Sequence, residues 1–180
     1  MIPAILLLSA VTLERLGELW LARRNTAALL ANGAYEAAPE HYPLIVALHA
    51  LWLAGLWGLG WAAPLRPGWV AVFLVSQAGR IWVLSTLGRR WTTRIIVVPG
   101  APLVASGPYR FVTHPNYLVV IGEIAVLPLC FGLPWYALAF SLANLAVLWV
   151  RVRAENATFG VAAAASGDPA RDPAGEIEHL

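Results

Sequence analysis

The hydrophobic positions of the chain fall into five long runs that are separated by short polar stretches. Each run has close to the roughly 20 residues that a helix needs to cross a bilayer. The pattern therefore predicts an all-α polytopic membrane protein with five transmembrane helices, the last two forming a hairpin around a tight Gly-Leu-Pro turn. The runs cover about residues 2–21, 42–62, 69–87, 115–131 and 135–159.

Composition agrees with this pattern, because 59% of the residues are hydrophobic and only 12% are charged, against about 25% charged in an average soluble domain. The length fits a single domain, which we place at residues 1–159. Residues 160–180 are rich in Ala, Gly, Asp and Pro, which predicts a disordered tail. The single cysteine, Cys130, excludes an internal disulfide framework.

The distribution of arginines predicts the orientation in the membrane. With five spans, Arg66 is alone on one side, and eight arginines share the other side. Since cytoplasmic loops are enriched in basic residues, the N-terminus is expected outside and the C-terminus inside. The eight residues on the predicted cytoplasmic side are Arg23, Arg24, Arg89, Arg90, Arg94, Arg110, Arg151 and Arg153.

Two long connectors lie on that side. Residues 23–43 could hold a short interfacial helix at Thr26–Ala31, stopped by Asn32-Gly33. Residues 88–116 contain an extended IIVV segment that ends at Pro-Gly. Because loops of this length in compact domains are usually functional, the second connector is where we expect a site.

The end of that connector, GPYRFVTHPNY at 107–117, is polar although apolar runs flank it. His114 precedes a proline and is biased away from helical geometry, so the fourth helix should begin at about Pro115. The free N–H groups of Asn116 and Tyr117 would then favour an anion such as a carboxylate.

The predicted hairpin brings this loop towards Arg151, Glu155 and Asn156, at the end of the fifth helix. Arg151 and Glu155 are four residues apart and share one helix face. Together the two segments offer cationic and donor groups for a carboxylate, and an acidic group for an ammonium or a ribose diol. A zwitterionic nucleoside such as S-adenosylmethionine needs both, although the spacing alone does not name that ligand.

At these positions the sequence resembles the isoprenylcysteine carboxyl methyltransferase family of integral membrane methyltransferases. That family has a G-P-Y-x-x-x-R-H-P-x-Y loop, an apolar hairpin and an R-x-x-x-E-E end. This chain has Thr113 in place of the loop arginine and Asn156 in place of the second glutamate. The matching residues are Gly107, Pro108, Tyr109, His114, Pro115, Tyr117, Arg151 and Glu155.

The resemblance covers roughly residues 88–159 and implies a cytoplasmic pocket for S-adenosylmethionine, with S-adenosylhomocysteine as product and no metal. It further implies a bacterial inner-membrane protein whose partners are a lipophilic small-molecule substrate and membrane lipids, not nucleic acid; it leaves the oligomeric state open. The cofactor-binding residues that it implies are Gly107, Pro108, Tyr109, Arg110, His114, Pro115, Asn116, Tyr117, Arg151, Glu155 and Asn156.

The segments ARRN at 22–25, EHYP at 40–43 and RWTTRIIV at 90–97 extend the resemblance to the whole chain. With them the chain looks more like a bacterial branch of the family, which methylates hydroxyls of alkylpyrones or alkylresorcinols made by type III polyketide synthases. A hydroxyl acceptor benefits from a base within hydrogen-bond reach, and the candidates are Glu123, His49 and His41, with Glu18 behind them. Glu123 ranks first because it lies about two turns into the fourth helix. Its alternative is an ion pair with Arg80 or Arg94, and that of His49 is a structural hydrogen bond.

Three other functions stay open at this stage. The first is carboxyl methylation of an isoprenylcysteine-like substrate, which needs no base because the carboxylate is already ionised. The second is a sterol-type membrane reductase, which has a similar C-terminal hairpin but uses NADPH. The third is a non-catalytic scaffold, which would not explain why polar groups from two distant segments converge at one face of the bilayer.

Overall fold

The structure, a computed structural model, describes the backbone of residues 1–166, and their side chains except those of His41 and residues 159–166. In this part of the chain the architecture is helical, as predicted, with single-turn 3-10 helices at Pro39–His41, Gly88–Arg90 and Gly107–Arg110. The five α-helices are α1 Ile2–Ala31, α2 Tyr42–Gly60, α3 Pro67–Leu87, α4 Pro115–Cys130 and α5 Pro134–Ser166.

The first helix differs from the prediction. Helix α1 is a single helix of 30 residues, so the predicted break near Leu21 and the separate helix at Thr26–Ala31 are wrong. The stretch between them contains neither glycine nor proline, and a polar composition by itself does not end a helix. The predicted stop is confirmed, because Asn32 caps the helix and Gly33 adopts a φ of +87° that suits glycine.

Three of the described helices are long and apolar enough to cross a membrane, namely Tyr42–Gly60, Pro67–Arg90 and Pro134–Thr158. Helix α4 has 16 residues and a length of about 24 Å, which is less than the roughly 30 Å of a bilayer core. Helix α1 carries charged residues in its middle. The chain is therefore a membrane protein, while the number of five spans stays a prediction.

The C-terminal hairpin has the predicted form. Helix α4 begins at Pro115, and Gly132 turns the chain with a φ of +72° before α5 begins at Pro134. The two helices pack against each other. Helix α5 continues to Ser166, which is beyond the predicted domain end at 159, and residues 167–180 of the predicted tail lie outside the described residues.

A small apolar core holds the helices together. Leu8 of α1, Trp52 and Leu56 of α2, and Leu127 of α4 are almost completely buried in it. The Tyr136 hydroxyl of α5 donates a 2.8 Å hydrogen bond to the Trp52 carbonyl. Large apolar side chains also cover the outside of the bundle, as a lipid environment permits.

The two long connectors meet in a short antiparallel ladder. Strand β1 (Tyr35–Glu36) pairs with β2 (Ile96–Val97), and Tyr35 lies opposite Val97. The extended segment predicted in the second connector is thus confirmed at β2. Asn25 of α1 adds a link at the same end of the bundle, because its amide donates hydrogen bonds to the carbonyls of Gly88 and Trp91.

Candidate functional site

The loop that precedes α4 is fixed against the end of α3. Gly107 adopts a φ of +58°, and a Cβ atom there would lie 2.4 Å from the Thr86 hydroxyl oxygen, so this close approach requires glycine. Pro108 is buried, and Tyr109 packs against a cluster that includes Trp91. Burial, assisted by the negative charge of Glu155, raises the pKa of the Tyr109 phenol to about 12.

At the start of α4, the rings of His114 and Tyr117 stack with their centroids 5.0 Å apart. Pro115 is buried, as is the side-chain oxygen of Asn116, which has no hydrogen-bond partner within the part of the chain that the structure describes. Buried polar atoms are nearly always hydrogen-bonded in native proteins. The Asn116 oxygen is therefore a buried acceptor that is unused among the described residues.

The Tyr117 hydroxyl joins the loop to the end of α5. It accepts a 2.8 Å hydrogen bond from Arg151 Nε and donates one to the Glu155 carboxylate. The His114 Nδ1 atom lies 4.0 Å from the same carboxylate. We call His114, Tyr117, Arg151 and Glu155 the four-residue cluster, whose members were all predicted from the sequence and are brought together by the fold.

Arg151 has a further partner that the sequence did not indicate. Its guanidinium donates a 2.9 Å hydrogen bond to the main-chain carbonyl of Thr93, which lies between α3 and β2. A carbonyl is present at every position, so no residue-type signal could have identified this contact. The bond holds the largely buried Arg151 side chain in place and ties the second connector to the cluster.

Two predicted cofactor residues lie apart from these contacts. Arg110 is exposed, and its guanidinium covers the neighbouring Phe111 ring at 4.4 Å. Asn156 is also exposed. Thr113 is exposed too. The two residues that depart from the family motif, Thr113 and Asn156, are thus both exposed and take no part in the buried contacts.

The strongest base candidate, Glu123, is part of a buried ion-pair cluster. One carboxylate oxygen accepts hydrogen bonds from Arg80 Nε at 2.6 Å and from Gln77 at 3.0 Å. The other accepts a 2.8 Å bond from Arg15 and a second bond from Arg80. Arg15 and Arg80 also bind Glu18. Glu14 adds a further carboxylate, 3.8 Å from Arg15 and 3.9 Å from Arg80. The ion-pair cluster consists of these six side chains from α1, α3 and α4.

The ion-pair alternative for Glu123 is thus confirmed for Arg80, whereas Arg94 pairs instead with Glu36 at 2.7 Å. A carboxylate offers about four lone-pair sites, and Glu123 uses four in these contacts. A role as a base stays a prediction, and it would require one of these hydrogen bonds to break. Glu18, which ranked behind the three main candidates, accepts bonds from both arginines.

The two histidine candidates lie elsewhere. A ring nitrogen of His49 is 2.9 Å from the Ile45 carbonyl one turn earlier in α2, which confirms the structural hydrogen bond given as its alternative. His41 ends the 3-10 helix at Pro39–His41, and its side chain lies outside the described residues. A role as a base stays a prediction for both residues.

The chemistry of the four-residue cluster suits a zwitterion. Arg151 and His114 can donate hydrogen bonds to a carboxylate, and Glu155 can accept from an ammonium group or a ribose hydroxyl. The Asn116 oxygen, which is unpaired among the described residues, adds a buried acceptor at the start of α4. These donors and acceptors fit the amino-acid part and the ribose of S-adenosylmethionine.

Comparison with known proteins gives an independent result. The model of the isoprenylcysteine carboxyl methyltransferase family matches residues 69–160, which include the loop, the hairpin and the four-residue cluster. An uncharacterized protein of Bacillus subtilis, YpbQ, is 38% identical over 156 residues, which cover 84% of this chain and 93% of the relative. An uncharacterized protein of Haemophilus influenzae is 27% identical over 139 residues, covering 73% and 80% respectively. No solved structure matches the chain.

Proposed function

This chain belongs to the isoprenylcysteine carboxyl methyltransferase family, and from that membership we propose that it transfers a methyl group from S-adenosylmethionine to a hydroxyl oxygen of a lipophilic acceptor. Membership supports a membrane methyltransferase. For the acceptor we propose an alkylpyrone or alkylresorcinol polyketide, because the chain resembles that bacterial branch over its whole length.

The observation that carries the proposal is the Tyr117 hydroxyl between Arg151 and Glu155. This contact joins two segments that are 34 to 38 residues apart and sets a cation and an anion side by side at the ends of two packed helices. A cation and an anion in one place are what the amino-acid part of the cofactor requires. All three residues lie within the range that the family model matches.

When bound, S-adenosylmethionine supplies a methyl group on a cationic sulfonium. The residues of the chain then mainly bind and orient, and such positioning can provide much of the rate enhancement. Arg151 and His114 would hold the carboxylate, and Glu155 and Asn116 would receive the ammonium or ribose donors. The arginine distribution supports a site that faces the cytoplasm from the bacterial inner membrane.

Binding of S-adenosylhomocysteine to the purified protein in detergent tests the cofactor site. We expect Arg151→Gln and Glu155→Gln to weaken binding about tenfold or more, because hydrogen bonds to charged groups contribute about 1.5–3 kcal/mol. Arg153→Gln is the matched control: it lies on the same helix, is exposed, and its guanidinium covers the Trp149 ring at 3.8 Å. Unchanged affinity in both site variants would contradict the assignment, and binding of NADPH instead would favour the reductase.

The acceptor requires a separate assay. Labelled S-adenosylmethionine is supplied with an alkylpyrone, an alkylresorcinol and a farnesylcysteine analogue in parallel reactions. We expect label in the first two products. Transfer only to the farnesylcysteine analogue would overturn the proposed acceptor while leaving the methyltransferase assignment intact.

A further inference from the structure

A cavity of about 320 Å³ lies between the second half of α1, the start of α2 and the segment before β2. Its α1 wall follows one helix face, because Leu19, Arg23, Ala27 and Leu30 recur at spacings of three and four residues. The volume is at the lower end of the range for small-molecule sites, roughly 300–1,000 Å³. It can hold one ring-sized group, and not a whole long-chain lipid.

The lining is mixed, because Ala27 and Leu30 follow Arg23 towards the end of α1, while Leu19 and Val46 lie on the other side of the polar residues. Leu19 lies one turn before Arg23 in α1, and Val46 lies one turn after Tyr42 at the start of α2. Leu19 and Val46 therefore lie nearer to the middle of their helices than Arg23 and Tyr42 do. This arrangement suits an amphiphile with its polar head at Arg23 and Tyr42 and its chain directed into the bundle or the bilayer.

The polar end of the cavity carries positive charge. Arg23 is exposed and has no ion pair within the part of the chain that the structure describes, while the Arg94 guanidinium pairs with Glu36 and lies 4.7 Å from the Tyr42 ring centroid. With one carboxylate beside two guanidinium groups, the rim has an excess of positive charge. Such a rim favours a ligand whose head is an oxygen anion.

One residue belongs both to this cavity and to the surroundings of the candidate cofactor site. The Thr93 hydroxyl lines the cavity 3.1 Å from the Tyr42 hydroxyl, and the Thr93 carbonyl accepts the hydrogen bond from Arg151. The cavity is therefore next to the four-residue cluster. A molecule bound in it would lie beside the proposed cofactor.

We propose that this cavity binds the anionic oxygen head of the methyl acceptor, with its alkyl chain leaving past Leu19 and Val46. The inference rests on the proposed function and deepens it, because it names the acceptor class as an acidic amphiphile that binds in its deprotonated form. An acceptor held as an anion needs no protein base. This agrees with the carboxylate of Glu123, whose acceptor sites are all in use.

The test measures binding of two probes to the full-length protein in phosphatidylcholine nanodiscs that contain saturating S-adenosylhomocysteine. The probes are an alkylpyrone with a free enolic hydroxyl and its neutral O-methyl ether. We expect Arg23→Gln to weaken the acidic probe about tenfold, the effect of losing one hydrogen bond to a charged group, and to leave the ether unchanged. Arg24→Gln is the matched control, because Arg24 lies next in α1 but covers the Trp20 ring.

A second pair of variants tests the space itself. Ala27→Trp should fill the cavity and reduce the affinity for both probes, whereas Ala28→Trp, at an exposed neighbouring position that does not line the cavity, should not. Unchanged affinity for the acidic probe in both Arg23→Gln and Ala27→Trp would overturn the proposal. If Ala27→Trp also disturbs the fold, Arg23→Gln decides alone, because it removes an exposed charge.

Two further outcomes have separate meanings. If phosphatidylglycerol in the nanodisc displaces the acidic probe from the wild type but not from Arg23→Gln, the cavity is a site for lipid headgroups, and the acceptor assignment is wrong. If a farnesylcysteine carboxylate binds better than the pyrone, the cavity is still an anion site, but the pyrone is not the acceptor. Absence of S-adenosylhomocysteine binding to the wild type would instead refute the proposed function.

Discussion

Substitution of Arg80 by methionine should destabilise the protein strongly. Arg80 and Glu123 are 3% and 2% exposed, and Arg80 holds both oxygens of that carboxylate. Arg15 and Arg80 face three carboxylates, those of Glu14, Glu18 and Glu123, so the substitution leaves Arg15 as the one guanidinium group of the cluster among the described residues. Breaking a buried pair by removing one partner costs about 3–5 kcal/mol, and exposure this low leaves little solvent to screen the charge.

The double variant separates charge imbalance from lost packing. Arg80→Met with Glu123→Met removes both charges and retains the Arg15–Glu18 pair, which has a distance of 2.8 Å. Replacing a buried ion pair by apolar residues of similar volume is often neutral or stabilising. We therefore expect the double variant to be more stable than either single variant, with a coupling energy above about 1 kcal/mol.

The assay is equilibrium unfolding of all four proteins in mixed micelles, with S-adenosylhomocysteine binding as a check of the native state. Additive effects of the two substitutions would refute this reasoning, since they would mean that the charges do not interact. A loss below about 1 kcal/mol for Arg80→Met would refute it as well. Arg15 and Gln77 alone would then suffice to compensate the Glu123 carboxylate.

Three further predictions concern the loop and the topology. Gly107→Ala should lower stability by about 1–3 kcal/mol in thermal unfolding, because alanine would be strained and would contact Thr86. Burial raises the Tyr109 pKa from its usual 10 to about 12, so stability should fall as the pH rises through that range, and Tyr109→Phe should reduce the fall. An impermeant maleimide should label Pro64→Cys but not Leu103→Cys in intact cells. The reverse pattern would show that the orientation in the membrane is opposite to the predicted one.

The four-residue cluster could be predicted because a short turn between two helices forces their other ends to meet. With that hairpin assigned, the loop before α4 and the end of α5 had to lie together. The motif then identified His114, Tyr117, Arg151 and Glu155. Prediction of the four-residue cluster does not depend on how α1 and α2 pack.

The partners of the buried charges could not be predicted in full. Glu123 was expected to pair with Arg80 or Arg94, and the sequence gives no local reason to include Arg15, which reaches it from α1. Arg94 is bound elsewhere because Glu36 lies opposite Ile96 in the β1–β2 ladder. Strands of two residues are too short for a periodic pattern to reveal their pairing.

The continuity of α1 was missed for a different reason. The polar residues after Leu21 indicate the end of a membrane span, but they are equally compatible with a helix that continues beyond the membrane. Asn25 shows why the extension is stable, because it is buried and binds two main-chain carbonyls from the end of α3. Both carbonyls are more than 60 residues away from Asn25 in the sequence.

The position of Arg80 between glutamates of two other helices has a consequence for the order of synthesis. Arg80 binds Glu18, 62 residues earlier in the chain, and Glu123, 43 residues later. When α3 leaves the ribosome, α1 is already made and can neutralise the arginine before α4 exists. The acidic residues of α1 thus give α3 an interim partner, and the arrival of α4 completes the arrangement and closes the bundle.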